Sequence, residues 1–260
     1  MKITFLGTGT SQGVPVIACG CHVCSSPDPA DARLRCSVLI ELPDQNWVID
    51  AGPDFRQQML RARVQSLGTV LFTHLHKDHT GGFDDVRAFY FKSGAPTEVY
   101  LDDHTRELLH REYPYVFDGT NYPGLPKFNL HVFGGTTPLA VGGYRVQPIP
   151  ARHHKLPVYG FRIGGFAYVT DANYLSPESL ALLQGAEVVV LNALQYEPHI
   201  SHYTVPEALA LLAELKPRQG YLTHISHKLG RHAEVSPRLP QGVALAYDGL
   251  SFTLPDPPAA

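Results

Sequence analysis

His74-Leu75-His76-Lys77-Asp78-His79 places three imidazoles and a carboxylate within six positions, directly after the apolar run Val70-Leu71-Phe72 and before Thr80-Gly81-Gly82. Imidazole nitrogens and carboxylate oxygens are ligands for zinc, manganese or iron at neutral pH. If residues 70–73 form a strand, His74 and His76 sit two apart and point the same way. The Gly-Gly pair then reads as a sharp turn that swings Asp78 and His79 towards a second ion. One short segment could therefore serve two ions.

Three further ligand-type residues follow short apolar or aromatic runs: His153 after Tyr144–Pro150, Asp171 after Phe166–Thr170, and His224 after Gly220–Thr223. The H-x-H-x-D-H segment, with these three in this order, resembles the metallo-β-lactamase-fold hydrolases. That resemblance implies an α/β sandwich of four layers, αββα, around two mixed β-sheets. It also implies a dinuclear centre: His74, His76 and His153 on one ion, Asp78, His79 and His224 on the other, and Asp171 bridging. Asp50, in Asp50-Ala51-Gly52, resembles the buried aspartate that orients ligands in such sites, with a helix N-cap as the competing reading.

The chain has 260 residues, enough for one sizeable α/β domain, and no linker divides it, so residues 1–260 read as a single hydrolase domain. A net charge of −3 makes nucleic acid an unexpected partner, since an extended phosphate footprint needs a basic excess. No apolar stretch approaches a membrane span, and Met1-Lys2 opens directly into a strand, so a cytoplasmic protein without a membrane contact is expected.

Three of the four cysteines fall in Cys19-Gly20-Cys21-His22-Val23-Cys24. In a cytoplasmic chain such spacing points to metal ligands or redox groups rather than to structural disulfides. Three thiolates supply all but one corner of a tetrahedral structural zinc site. His227, His22 and Cys36 compete for the last corner; His227 is favoured because it lies three residues after His224.

Local signals place a strand at Ile3–Leu6 and a glycine-bearing loop at Gly7–Gly13. They place a hairpin over Val38–Leu42 and Trp47–Ile49, and helices from Pro53 to about Arg63, Asp84 to Phe91 and His104 to Glu112. The aromatic, proline-bearing stretch Tyr113–Lys127 has neither period and reads as a lid or partner surface, with Tyr113–Phe128 the place to look for a homodimer contact. Ser176 and Thr204 carry helix-start signatures. A last hairpin is expected over Val243–Tyr247 and Leu250–Leu254.

The thiol cluster after Ser11-Gln12-Gly13-Val14-Pro15, and Leu222–His227, resemble the cyclic-phosphate phosphodiesterases of the carbon–phosphorus lyase pathway. The resemblance covers nearly the whole chain, although a related thiol cluster occurs in pyrroloquinoline-quinone biosynthesis proteins. It implies hydrolysis of 5-phosphoribosyl 1,2-cyclic phosphate to ribose 1,5-bisphosphate, with two divalent ions (manganese or zinc) as cofactors and a hydroxide bridging them as nucleophile. His202, in Ser201-His202-Tyr203-Thr204, falls where that family keeps a general-acid histidine, so His202 and Asp78 form the catalytic set. An ordinary histidine pKa near 6.5 would leave some acid form at pH 7. Arg152, His154 and Lys155 crowd His153, either gripping a second phosphate or simply solvated, with solvation favoured. Competing expectations are a thioester or lactone hydrolase, a tRNA-processing nuclease, for which no basic Gly-rich arm is present, and a non-catalytic metal-binding biosynthetic scaffold.

Overall fold

A computed structural model describes residues 1–119 and 124–260. Two seven-stranded sheets face each other. The first runs Ser251–Thr253, Lys2–Gly7, Ser37–Glu41, Asn46–Ile49, Thr69–Leu71, Thr97–Leu101, Phe128–Val132 from edge to edge. The second runs Val243–Leu245, Gln219–Thr223, Val188–Asn192, Phe166–Val169, Leu156–Ile163, Tyr144–His153, Leu139–Val141. Each sheet is antiparallel over one half and parallel over the other.

Alternation along the strands explains the layering. Val38 and Ile40 face the second sheet, packing with Trp47, Ile49, Phe161, Phe166 and Tyr168. Leu39, between them, faces outward with Val48, Val70 and Val99 against Phe55, Met59 and Leu109. On the far side Val189, Leu191 and Leu222 meet Val205, Ala208 and Leu212 of helix Val205–Leu215. Both faces of the central strands are buried, so they are apolar without a break. The result is the expected αββα sandwich.

The Ser176 and Thr204 helix starts form as expected: Ser176 accepts from the Ser179 amide, and Thr204 makes a full capping box with Glu207. Other boundaries move. The helix expected from Pro53 spans Phe55–Ala62, and Asp54, not Asp50, holds its N-cap position. The expected helix from Asp84 to Phe91 is a 3-10 turn, Phe83–Val86, leading into Arg87–Ser93. The final hairpin does not form. Val243–Leu245 pairs parallel to Gln219–Thr223, while Ser251–Thr253 pairs with Lys2–Thr4 in the other sheet. Two adjacent short strands look alike in sequence whether they pair with each other or close two different sheets. Within Tyr113–Lys127, Pro114–Phe117 is a short helix, and residues 120–123 lie outside the described residues. No described helix is long and apolar enough to cross a membrane.

Candidate metal centre

The ligand-type side chains gather where the parallel strands of both sheets end, the usual place for a site in such sheets. Three of the residues there, Asp50, Asp171 and His224, adopt left-handed backbone conformations with φ of 64°, 52° and 56°. Non-glycine residues rarely do so, and the turn re-aims each side chain across the sheet ends. Asp78 and His79 are carried by a single helical turn, Lys77–Thr80, which precedes the glycines. Gly81 and Gly82 therefore act differently from the expected turn. A Cβ at Gly82 would lie 2.0 Å from the Gly52 carbonyl oxygen, and one at Gly52 would lie 2.0 Å from that of Asp78. Close backbone approach, not a left-handed turn, demands glycine.

Asp171 stands at the centre, 2 % exposed. Its Oδ1 lies 3.3 Å from His79 Nε2 and 2.8 Å from His224 Nδ1. Its Oδ2 lies 3.8 Å from His74 Nε2, which is itself 3.1 Å from His76 Nδ1. Asp78 adds an oxygen 3.2 Å from His79 Nε2. Ligand atoms of Asp78, His79, Asp171 and His224 all lie within 4.8 Å of one another, as do those of His74, His76 and Asp171. His153 comes within that distance of Asp171 and His202, and its ring centre is 5.0 Å from that of His76 and 5.8 Å from that of His74. The two oxygens of one carboxylate thus face two separate histidine groups.

Outer contacts turn these rings. His74 Nδ1 meets Thr73 Oγ1 at 2.9 Å, His79 Nδ1 meets Asp50 Oδ2 at 2.7 Å, and His153 Nδ1 meets the Ser201 carbonyl at 2.7 Å. Asp50 also accepts from the Thr73 amide and hydroxyl, so it orients ligand-bearing groups. Thr73 and the Ser201 carbonyl were not anticipated. Thr73 is legible only as the residue before His74, and a backbone carbonyl has no sequence signature. Arg152, His154 and Lys155 are all exposed.

The electrostatics suit a cation. His79 Nε2 and His224 Nδ1 face only the carboxylates of Asp171 and Asp78, and His202 Nδ1 is buried with no hydrogen-bond partner among the described residues, although buried polar atoms are almost always satisfied. Burial opposes charge on His79, yet Asp171, Asp78 and Asp50 outweigh it and raise the ring well above its usual value. Burial likewise opposes charge on His224, and Asp171 pulls it up to about 10. Burial and the nearby His79 push His74 well below the usual range. His202 departs from expectation: burial, then His224, drives it down to about 3, so the resting ring is neutral rather than partly acidic. Its ring lies 4.5 Å from that of His153 and 4.7 Å from that of His224.

The thiols form a second cluster. His227 Nδ1 is 3.3 Å from Cys19 Sγ, 3.5 Å from Cys21 Sγ and 3.5 Å from Cys24 Sγ. One ring nitrogen has a single proton or lone pair and cannot serve three sulfurs. Zinc bonds at tetrahedral angles would separate sulfur and nitrogen by about 3.6 Å, close to what is found. The Cys24 amide and His227 lower Cys21 to about 6, while burial raises Cys24 to about 11, so without a cation the cluster resists holding all its sulfurs as thiolates. Cys36, a competitor for the fourth corner, is buried 3.4 Å from Thr223 Oγ1 instead, and His22 is exposed.

A β-lactamase superfamily domain model matches residues 45–225. Among curated proteins, an octanoyltransferase of Porphyromonas gingivalis is 36 % identical over 253 residues, covering 96 % of this chain and 51 % of that protein. A ribonuclease Z of Synechococcus sp. (strain WH7803) is 28 % identical over 210 residues, covering 74 % of this chain and 59 % of that protein. The chain thus spans between half and three-fifths of the length of these relatives. Among solved structures, one described as a new diphosphatase from the PhnP family shares 35 % identity with a TM-score of 0.92, covering 98 % of each chain. The match in sequence and fold over almost the whole length makes this chain a member of the β-lactamase superfamily and, within it, of the PhnP family.

Proposed function

We propose that this protein hydrolyses a small phosphodiester, with 5-phosphoribosyl 1,2-cyclic phosphate opened to ribose 1,5-bisphosphate as the specific reaction. The observation that carries the reading is Asp171, whose two oxygens address two histidine groups. In this reading His74, His76 and His153 hold one divalent ion, Asp78, His79 and His224 hold a second, and Asp171 serves both. Nitrogen and oxygen donors suit manganese or zinc, whereas Cys19, Cys21, Cys24 and His227 suit a structural zinc. Ions held at Asp171 would supply Lewis acidity and positive charge for a phosphate oxyanion.

The chain's own groups do the rest. Asp50 and Thr73 hold His79 and His74 in register, and the Ser201 carbonyl does the same for His153. His202 is neutral at rest, beside His224, Asp171 and His153, and its Nδ1 has no hydrogen-bond partner among the described residues. A phosphate anion beside it adds to the negative charge of Asp171, so the ring takes up a proton from solvent as substrate arrives and delivers it to the leaving alkoxide. The reading treats residues 1–260 as one hydrolase domain acting on a small molecule in the cytoplasm, with nucleic acid disfavoured by the net charge of −3.

A second reading, cleavage of a P–O–P diphosphate ester, is favoured by the 35 % identical relative described as a diphosphatase. It would use the same oxyanion site with a phosphate leaving group. The test is ³¹P NMR of the manganese-loaded protein with 5-phosphoribosyl 1,2-cyclic phosphate, a dinucleoside diphosphate and a bis-aryl phosphodiester. Fastest opening of the cyclic ester supports the first reading. Preference for the diphosphate supports the second, and inactivity on all three with metals bound sinks both. With the preferred substrate, His202→Ala should lower kcat by on the order of 10²–10⁴ while leaving the metal count intact. Loss of metal in that variant would make His202 a ligand instead.

A further inference from the structure

Three of the site's histidines are tied at Nδ1, which leaves Nε2 for the centre. His224 is the reverse. Its Nε2 lies 3.1 Å from Thr10 Oγ1, both residues are buried, and Nδ1 faces Asp171. Thr10 comes from the opposite end of the chain and is pinned where it stands. Its amide donates to the Ile225 carbonyl at 3.1 Å, and the Ile225 amide donates to the Thr8 carbonyl at 2.9 Å. Gly13 N–H donates back to the Thr10 carbonyl at 2.8 Å, and Gly9 bridges to both Arg35 and Ile225. The loop after the first strand therefore lies like an extra strand along residues 224–226, and its Thr10 side chain meets the ring.

We propose that Thr10 is the positioning residue for His224. By accepting the Nε2–H, its hydroxyl holds the ring in the tautomer that presents a bare Nδ1 to the centre, which is the orienting role outer groups play for metal-bound histidines. This rests on the reading of His224 as a metal ligand. The contribution is chemical rather than volumetric. A valine fills the same space but leaves the buried Nε2–H without an acceptor, which favours the tautomer protonated at Nδ1 and so opposes metal binding there. A serine keeps the acceptor.

The test compares Thr10→Val and Thr10→Ser in the full chain. Ion count and affinity would be read by chelator competition, and the ring tautomer by ¹⁵N NMR of the histidines in the zinc-loaded protein. Thr10→Val is expected to bind one of the active-site ions about 10–100-fold more weakly. Its cysteine-held zinc should match that of Thr10→Ser, while its metal-free melting temperature should lie below that of Thr10→Ser because the buried Nε2–H has lost its acceptor. Thr10→Ser is expected to keep the wild-type count and the His224 Nε2–H signal. Wild-type affinity in Thr10→Val, or an equal loss in both variants, overturns the proposal. If the valine variant does not fold, Thr10→Ala carries the same comparison. His224→Ala separates the two ideas: an unchanged ion count there removes His224 as a ligand, whereas a lost ion with Thr10→Val unaffected overturns the role of Thr10 alone.

Discussion

Asp50 Oδ2 lies 2.7 Å from His79 Nδ1, and both side chains are fully buried. Burial pushes the Asp50 carboxyl up, and His79 and Thr73 hold it down. Removing one partner of such a pair leaves an uncompensated buried group, at a cost of about 3–5 kcal/mol. Asp50→Asn should therefore lower the melting temperature and weaken metal binding about 10–100-fold, because an amide offers one acceptor oxygen where Thr73 and His79 use two. Metal titration with calorimetry checks both; an unchanged affinity would leave Asp50 a purely structural residue.

The metal-free protein should be most stable near pH 6.5. His79, and His224 at about 10, are raised on folding, so their stabilisation is complete below the unfolded value near 6.5 and is lost as pH climbs towards 10. His202, at about 3, and His74 are lowered, so the unfolded chain takes up protons that the folded one refuses, and stability falls as pH drops below 6.5. Binding an ion must also displace the proton on His224, so apparent affinity should rise between pH 6 and 8. Thermal melts of the chelated protein and pH-dependent titrations test this. A melting temperature that rises steadily from pH 6 to 9 would contradict it.

Cys21→Ser should release the structural zinc and lower the melting temperature by on the order of 10 °C. Below the melting temperature kcat should stay within a few-fold, since no cysteine of the cluster reaches the Asp171 centre. A full zinc count with an unchanged melting curve would refute the Cys19–Cys21–Cys24–His227 assignment.

Gly52→Ala should disturb the active centre from outside it. Its Cβ would sit 2.0 Å from the Asp78 carbonyl oxygen, so the turn bearing Asp78 and His79 must shift. Lower metal content and stability are expected, whereas Gly20→Ala, with nothing within 4 Å of the added carbon, should be neutral. Equal behaviour of the two variants would show that the turn yields freely.

Much of this protein is decided locally. H-x-H-x-D-H, the thiol spacing and the starts at Ser176 and Thr204 are short-range signatures, because ligand chemistry and helix capping need particular residue types at particular spacings. The αββα layering follows similarly from strands apolar on both faces. Tertiary structure alone decided the rest. Val243–Leu245 and Ser251–Thr253 part into different sheets because their partners, Gln219–Thr223 and Lys2–Thr4, lie elsewhere in the chain. His202 loses its acid form to burial and to His224, neither visible in the order of residues. Thr10 reaches His224 across 214 positions of sequence. Residue type sets what a side chain can bind or donate, but its charge and tautomer depend on neighbours that only the folded chain brings within a few ångströms.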